Sequence, residues 1–126
     1  TMPQLRTTRH LKGAYVLSEK DCRQPRADSI GLEADFERVG DWYEIPFGCL
    51  YHPDCANLLA AGRMVSAEGI GWEVTRVIPV CALTGQAAGV AAAQMAAGGT
   101  AAKDLPVEGL QQALQGQGAT LHRQDV

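Results

Sequence analysis

The apolar and polar positions divide this chain into a strand-like first half and a helical second half. Over residues 5–18 the two kinds alternate loosely, with Leu11, Gly13, Tyr15 and Leu17 on one side and Lys12, Ala14 and Val16 on the other. That spacing predicts a strand. The polar run Ser18-Glu19-Lys20-Asp21 predicts a turn or short helix. Residues 29–37 (SIGLEADFE) predict a second strand, suited to antiparallel pairing with the first and ended by a turn at Gly40-Asp41. Ile45-Pro46-Phe47-Gly48 reads as extended, because a residue before proline disfavours the helical region. Residues 57–61 (NLLAA) form a short continuous apolar run, as a buried strand does, and stop at Gly62-Arg63. Residues 69–73 (GIGWE) read as a loop.

From about residue 74 the pattern turns helical. Pro79 and Gly85 interrupt it, which predicts a short helical stretch over 74–83 and a main helix over 84–97, stopped by Gly98-Gly99. The main helix then opens Thr84-Gly85-Gln86-Ala87-Ala88-Gly89, a first turn with almost no side chain. Its bare N–H groups are one means of holding a flat or anionic cofactor edge. A last helix is predicted over 106–115, with Asp104 near its N-cap, Pro106 in its first turn and Val107, Leu110 and Leu114 on one face. Gly116-Gln117-Gly118 ends it, and residues 122–126 are expected to fray. Strands first and helices last is an α+β order for the isolated chain.

Composition narrows the function classes. A length of 126 residues bounds the chain to one domain, and 46% hydrophobic with 20% charged residues is ordinary for a globular protein. Aromatic residues are only 6%, so the core is expected to be built from small, closely approaching elements. A net charge of −3 without a basic block excludes counterion-release binding to nucleic acid. No stretch reaches the roughly 18 uninterrupted apolar residues of a membrane helix. No apolar segment follows the polar, basic N-terminus as in a secretory signal. A cytoplasmic address is the default expectation, with reduced thiols at Cys22, Cys49, Cys55 and Cys81. Cys49, His52 and Cys55 offer three metal donors, but neither Cys22 nor Cys81 has a motif spacing to them, and no metal is expected. His10, His52 and His122 carry no spacing that marks one as catalytic.

Three blocks carry a family resemblance. The first is Pro3-Gln4-Leu5-Arg6-Thr7-Thr8-Arg9-His10-Leu11-Lys12-Gly13, followed by Tyr15-Val16-Leu17 and Asp21. The second is Tyr43-Glu44-Ile45-Pro46-Phe47-Gly48-Cys49-Leu50. The third is Asn57-Leu58-Leu59-Ala60-Ala61-Gly62-Arg63 with Ser66, then Arg76-Val77-Ile78-Pro79-Val80-Cys81 and Gly85-Gln86-Ala87-Ala88-Gly89-Val90-Ala91-Ala92. In this order they resemble the C-terminal portion of bacterial FAD-dependent oxidoreductases of the glutathione-reductase structural type, distantly similar to fumarate reductase flavoproteins. The resemblance implies the C-terminal part of an α/β FAD/NAD(P)-binding fold, with residues 1–44 ending a substrate domain and 45–126 returning to the FAD-binding domain. It implies FAD as cofactor. Gly62 and Arg63 would lie along ribitol and pyrophosphate, Arg76 near cofactor or substrate, and Gly85, Gln86, Ala87 and Ala88 at the pyrimidine edge of the ring. Arg6 and Arg9 are substrate candidates; three apart in a regular strand, they face opposite sides, so at most one reaches a pocket.

One part of a flavin site has no counterpart in the sequence. The fold type needs a Gly-x-Gly-x-x-Gly turn after its first strand. The nearest imitation, Gly69-Ile70-Gly71-Trp72-Glu73-Val74, has valine at the third glycine. Together with a first residue that is not methionine, this gives the expectation of a C-terminal piece of a longer enzyme, its partner being the remainder of that flavoprotein. Alone it is expected to be inactive, to bind FAD weakly and to self-associate through its alanine face. Two other function classes stay open: a non-enzymatic docking module that completes a partner's flavin site, and a thiol or metal activity at Cys49, His52 and Cys55.

Overall fold

The computed structural model describes residues 7–126. It is an α+β chain, as the element order implies. Two strands, β1 (Ser29–Ala34) and β2 (Trp42–Pro46), pair antiparallel, with Leu32 opposite Glu44, Glu33 opposite Tyr43 and Ala34 opposite Trp42. Three helices follow: α1 (Gly69–Thr75), α2 (Ile78–Gly98) and α3 (Val107–Gly116). α2 lies across β1 and α3, and the 3-10 turn at Gly62–Met64 packs against it.

The core forms where these elements meet. Ile30, Tyr43, Ile45, Phe47 and Leu50 come from the strands and the turn after them, Val65 and Val74 from around α1, and Leu110, Leu114 and Leu121 from the C-terminal part. α2 contributes Val80, Thr84, Ala87, Ala91 and Met95, spaced by three or four residues as one face of a helix must be. Small side chains on that face let α2 come close. Leu83 lies over Gly31, where a Cβ would stand 2.0 Å from a Leu83 methyl carbon.

Several expectations are corrected. Residues 7–18 form no strand and do not pair with β1. Their backbone groups bond instead to irregular chain: Leu11 N–H to Met64 O at 2.7 Å, Ala14 N–H to Tyr51 O at 2.9 Å and Leu17 N–H to Ser66 O at 3.1 Å. Only an isolated parallel bridge, Leu17 with Ala67, marks them as extended. Residues 57–61 are not a strand either; Ala60 N–H donates to Leu50 O at 2.7 Å, and this segment joins no ladder among the described residues. Apolar character alone makes no strand where no neighbouring edge is present to accept its hydrogen bonds.

The helical half differs more. The 69–73 stretch is α1, not a loop. α2 is one unbroken helix of 21 residues starting at Ile78, so the predicted break near Gly85 is absent. Pro79 occupies the first turn, where its missing N–H costs nothing, and marks a start instead of an interruption. Gly99, at φ 62°, ends the helix in the left-handed conformation expected from Gly98-Gly99. By length and composition α2 also suffices to cross a bilayer, although its buried stripe is engaged with β1 and α3. The C-terminal residues are tied down where fraying was expected. Leu32 N–H donates to Thr120 O at 3.0 Å, Ser29 Oγ–H to Leu121 O at 2.7 Å, and His122 Nδ1 lies 2.9 Å from the buried Glu44 carboxylate.

Candidate functional site

The start of α2 is the point where the predicted site residues gather. Gly62 opens the 3-10 turn at φ 77°, a conformation that favours glycine. Its N–H donates to Thr84 Oγ at 2.9 Å, and Thr84 is itself bonded to Val80 O at 2.8 Å, so the turn is pinned to the buried side of α2. Arg63 is the next residue. Its carbonyl accepts from the Trp72 indole N–H at 2.8 Å, which locks the turn to α1. Arg76 closes α1, with its N–H bonded to Trp72 O at 3.1 Å. Arg63 and Arg76 therefore stand together at one cleft, with Val77, Ile78, Pro79 and Cys81 as its other walls.

That cleft suits an electron-rich group. Val77 caps α2 without any side-chain bond, so the helix end that Ile78 brings to the cleft wall is uncapped. A helix of this length presents about half a positive charge there. Arg76 Nε is buried and has no hydrogen-bond partner among the described residues, an orphaned donor at the same place. Cys81 turns its thiol to the Arg76 carbonyl at 3.7 Å; burial pushes the thiol pKa up, and the nearby Arg63 guanidinium partly counters this. Exposed Ile78 provides apolar surface at this cleft, and exposed Met64 lines the neighbouring one.

Gly85, Gln86, Ala87 and Ala88 do not lie at a helix start. They occupy the interior of α2, where main-chain amides are spent on the helix. Gln86 reaches Gln117 Oε1 at 2.7 Å, and Ala87 is fully buried in the core. The bare first turn belongs to residues 77–81. The signal was Pro79, read in the sequence as a breaker when it was a first-turn residue. Arg9 is exposed and lines a neighbouring cleft that shares Arg63. Arg6 lies outside the described residues.

Two residues at this place escaped the sequence reading. His10 meets Trp72 edge to face, with ring centroids 4.8 Å apart, and its Nδ1 bonds to Leu11 O at 2.8 Å. Trp72 holds Arg63 as described. A tryptophan in an aromatic-poor chain, one of two, was the available hint. Cys49, His52 and Cys55 do not assemble: no group of three metal-donor side chains occurs among the described residues, and Cys49 is sealed in the core with its thiol pushed to about 12 by burial.

The elements thus converge on a cationic, uncapped helix start, an arrangement that attracts negative charge. The family described as FAD dependent oxidoreductase matches residues 1–114, and the chain belongs to that family. No curated protein matches, and no solved structure does.

Proposed function

We propose that this chain supplies the flavin-ring side of an FAD-dependent oxidoreductase of the glutathione-reductase type, distantly similar to fumarate reductase flavoproteins. The observation that carries the reading is the cleft where Arg63, Arg76 and the uncapped start of α2 meet, in a chain whose family uses FAD. Residues 1–44 would close the substrate domain and 45–126 return to the flavin domain, with the boundary falling inside β2. The phosphate cradle would come from a polypeptide segment outside this sequence, since no Gly-x-Gly-x-x-Gly occurs in it.

Bound FAD would supply the two-electron chemistry. This chain's residues would set its electrostatics. The uncapped start of α2 at Ile78 and the guanidinium of Arg76 would favour negative charge on the group bound there. Arg63, carried on a turn that Thr84 and Trp72 hold from two sides, would contact the ribityl or phosphate portion. Ile78 and Met64 would keep the ring face dry. Gly85 to Ala88 would support the helix from behind.

FAD titration of the purified chain, followed by amide NMR, tests this. Binding is expected to be weak, with Kd about 0.1 mM or higher, because the ring side alone has no preorganised phosphate cradle. Shifts should concentrate at Arg63, Arg76 and residues 77–81. Protein that purifies yellow with stoichiometric FAD would overturn the half-site reading, and shifts centred on Gly85–Ala88 would overturn the placement.

A further inference from the structure

We propose that the cleft between residues 8–11 and 58–64 is the substrate side of this site, and that it takes a ligand with an apolar body and a single carboxylate. Its role as a substrate site rests on the flavin assignment; its binding chemistry does not. The cleft has a volume of about 790 Å³, with Leu11, Leu58, Leu59 and Met64 among its apolar walls and Thr8, Arg9, His10 and Arg63 as its charged or polar groups. Among the described residues no aspartate or glutamate lines it. Among the described residues neither Arg9 nor Arg63 takes part in an ion pair. Two free guanidinium groups without a nearby acid attract an anion, and guanidinium geometry fits a carboxylate.

The cationic groups are also held in place. Leu11 N–H donates to Met64 O at 2.7 Å, joining the two walls. The Leu11 carbonyl can only accept, so His10 Nδ1 carries the hydrogen in their 2.8 Å bond, and Nε2 is the ring nitrogen left for a ligand. Trp72 contacts the His10 ring and bonds the Arg63 carbonyl, so one indole orients both residues. The remaining walls argue for one carboxylate. A second would lie against leucine, alanine and methionine side chains with only the neutral Thr8 hydroxyl as a further side-chain donor, too little to offset its desolvation.

The test uses the full chain without flavin and benzoate as probe. Benzoate is expected to shift the Trp72 indole and His10 ring NMR signals saturably, whereas benzyl alcohol leaves them in place. Arg9→Gln and Arg63→Gln should each weaken benzoate roughly tenfold or more, as loss of a charge-assisted bond does, and Lys103→Gln should not. Absence of a saturable shift, equal shifts with benzyl alcohol, tighter binding of succinate than of benzoate, or unchanged binding in both arginine variants would each overturn the proposal. Arg9 is exposed, so its variant should fold normally. Arg9→Gln should leave the FAD titration unchanged, and Arg76→Gln should weaken FAD while leaving benzoate alone. A failure of this assignment is thereby separable from a failure of the flavin one.

Discussion

Replacing Gly71 by alanine sets two effects of opposite sign against each other, and the structure decides between them. Gly71 is an α1 residue, and helix propensity alone favours alanine by about 0.8–1.0 kcal/mol. Its missing side chain, however, faces the backbone of the preceding segment. A Cβ there would stand 2.5 Å from the Leu17 carbonyl oxygen, 2.7 Å from the carbonyl carbon and 2.9 Å from Ser18 Cα. These are backbone atoms, which cannot swing aside as the end of a side chain can. Relief requires α1 to withdraw by about 0.5–1 Å, enough to forfeit a quarter to a half of each lost contact. Withdrawal also pulls on the bonds that bracket the crossing, Leu17 N–H to Ser66 O at 3.1 Å and Glu68 N–H to Leu17 O at 2.9 Å. Overpacking of this kind costs about 1–3 kcal/mol, and each weakened bond adds up to about 1 kcal/mol. The net expectation for Gly71→Ala is a loss of about 1–3 kcal/mol despite better propensity. Urea unfolding followed by circular dichroism should show the lower midpoint, and Tm should fall by roughly 4 °C for each kcal/mol. The comparison variants are Gly85→Ala and Gly89→Ala, where a Cβ meets nothing within 4 Å. Each should gain about 0.5–1 kcal/mol from propensity. A Gly71→Ala protein as stable as the parent would refute the steric argument.

Three further outcomes are expected. Glu44→Gln should destabilise by about 2–3 kcal/mol, because the buried carboxylate takes N–H bonds from Arg26 at 2.7 Å and Arg123 at 3.0 Å as well as the His122 contact; limited proteolysis should then cut the C-terminal residues first, and an unchanged cleavage pattern would count against this anchor. Burial raises the Asp35 pKa, but bonds from the Glu37 and Arg38 amides and the Arg38 guanidinium outweigh it and leave the carboxyl below its ordinary value of 3.8. The Asp35 contribution is therefore complete above the ordinary value and is lost as pH falls through the folded one, so Asp35→Asn should lower stability at pH 7 and lose that deficit in acid, as urea midpoints across pH will report. Cys49, with its thiol at about 12 and no exposure, should stay unlabelled by a thiol reagent in the native protein and react fully in denaturant, and native-state labelling at Cys49 would contradict its burial.

The legible parts of the fold were those with strong local chemistry. β1, the α3 face of Leu110 and Leu114, and the glycine stop of α2 all follow from period or turn residues near in sequence. Which strand pairs with β1 did not. The 7–18 segment alternates well enough for a strand, yet its donors are taken by carbonyls of residues 48–66, and β2 has the free edge. The fate of α2 was hidden for a different reason. Alanine and glycine recur on both of its faces, so the hydrophobic pattern has almost no contrast, and neither its continuity nor its inward face is written in the period. The candidate site shows the same division. Arg63 and Arg76 were visible as residues worth naming, while the helix start beside them was assigned six residues too late.

By itself, the sequence determined an α+β chain with a small-residue helix, a family resemblance to FAD-dependent oxidoreductases and the absence of a phosphate-binding glycine turn. Only the tertiary structure decided where that helix begins, and with it which amides are free. It also decided that Trp72 and His10, 62 positions apart in the chain, stand together beside Arg63. The reason is physical. Helix propensity and turn chemistry act over a few residues and are encoded locally, whereas a site needs groups brought from distant segments, and burial and hydrogen-bond competition across the whole chain settle that.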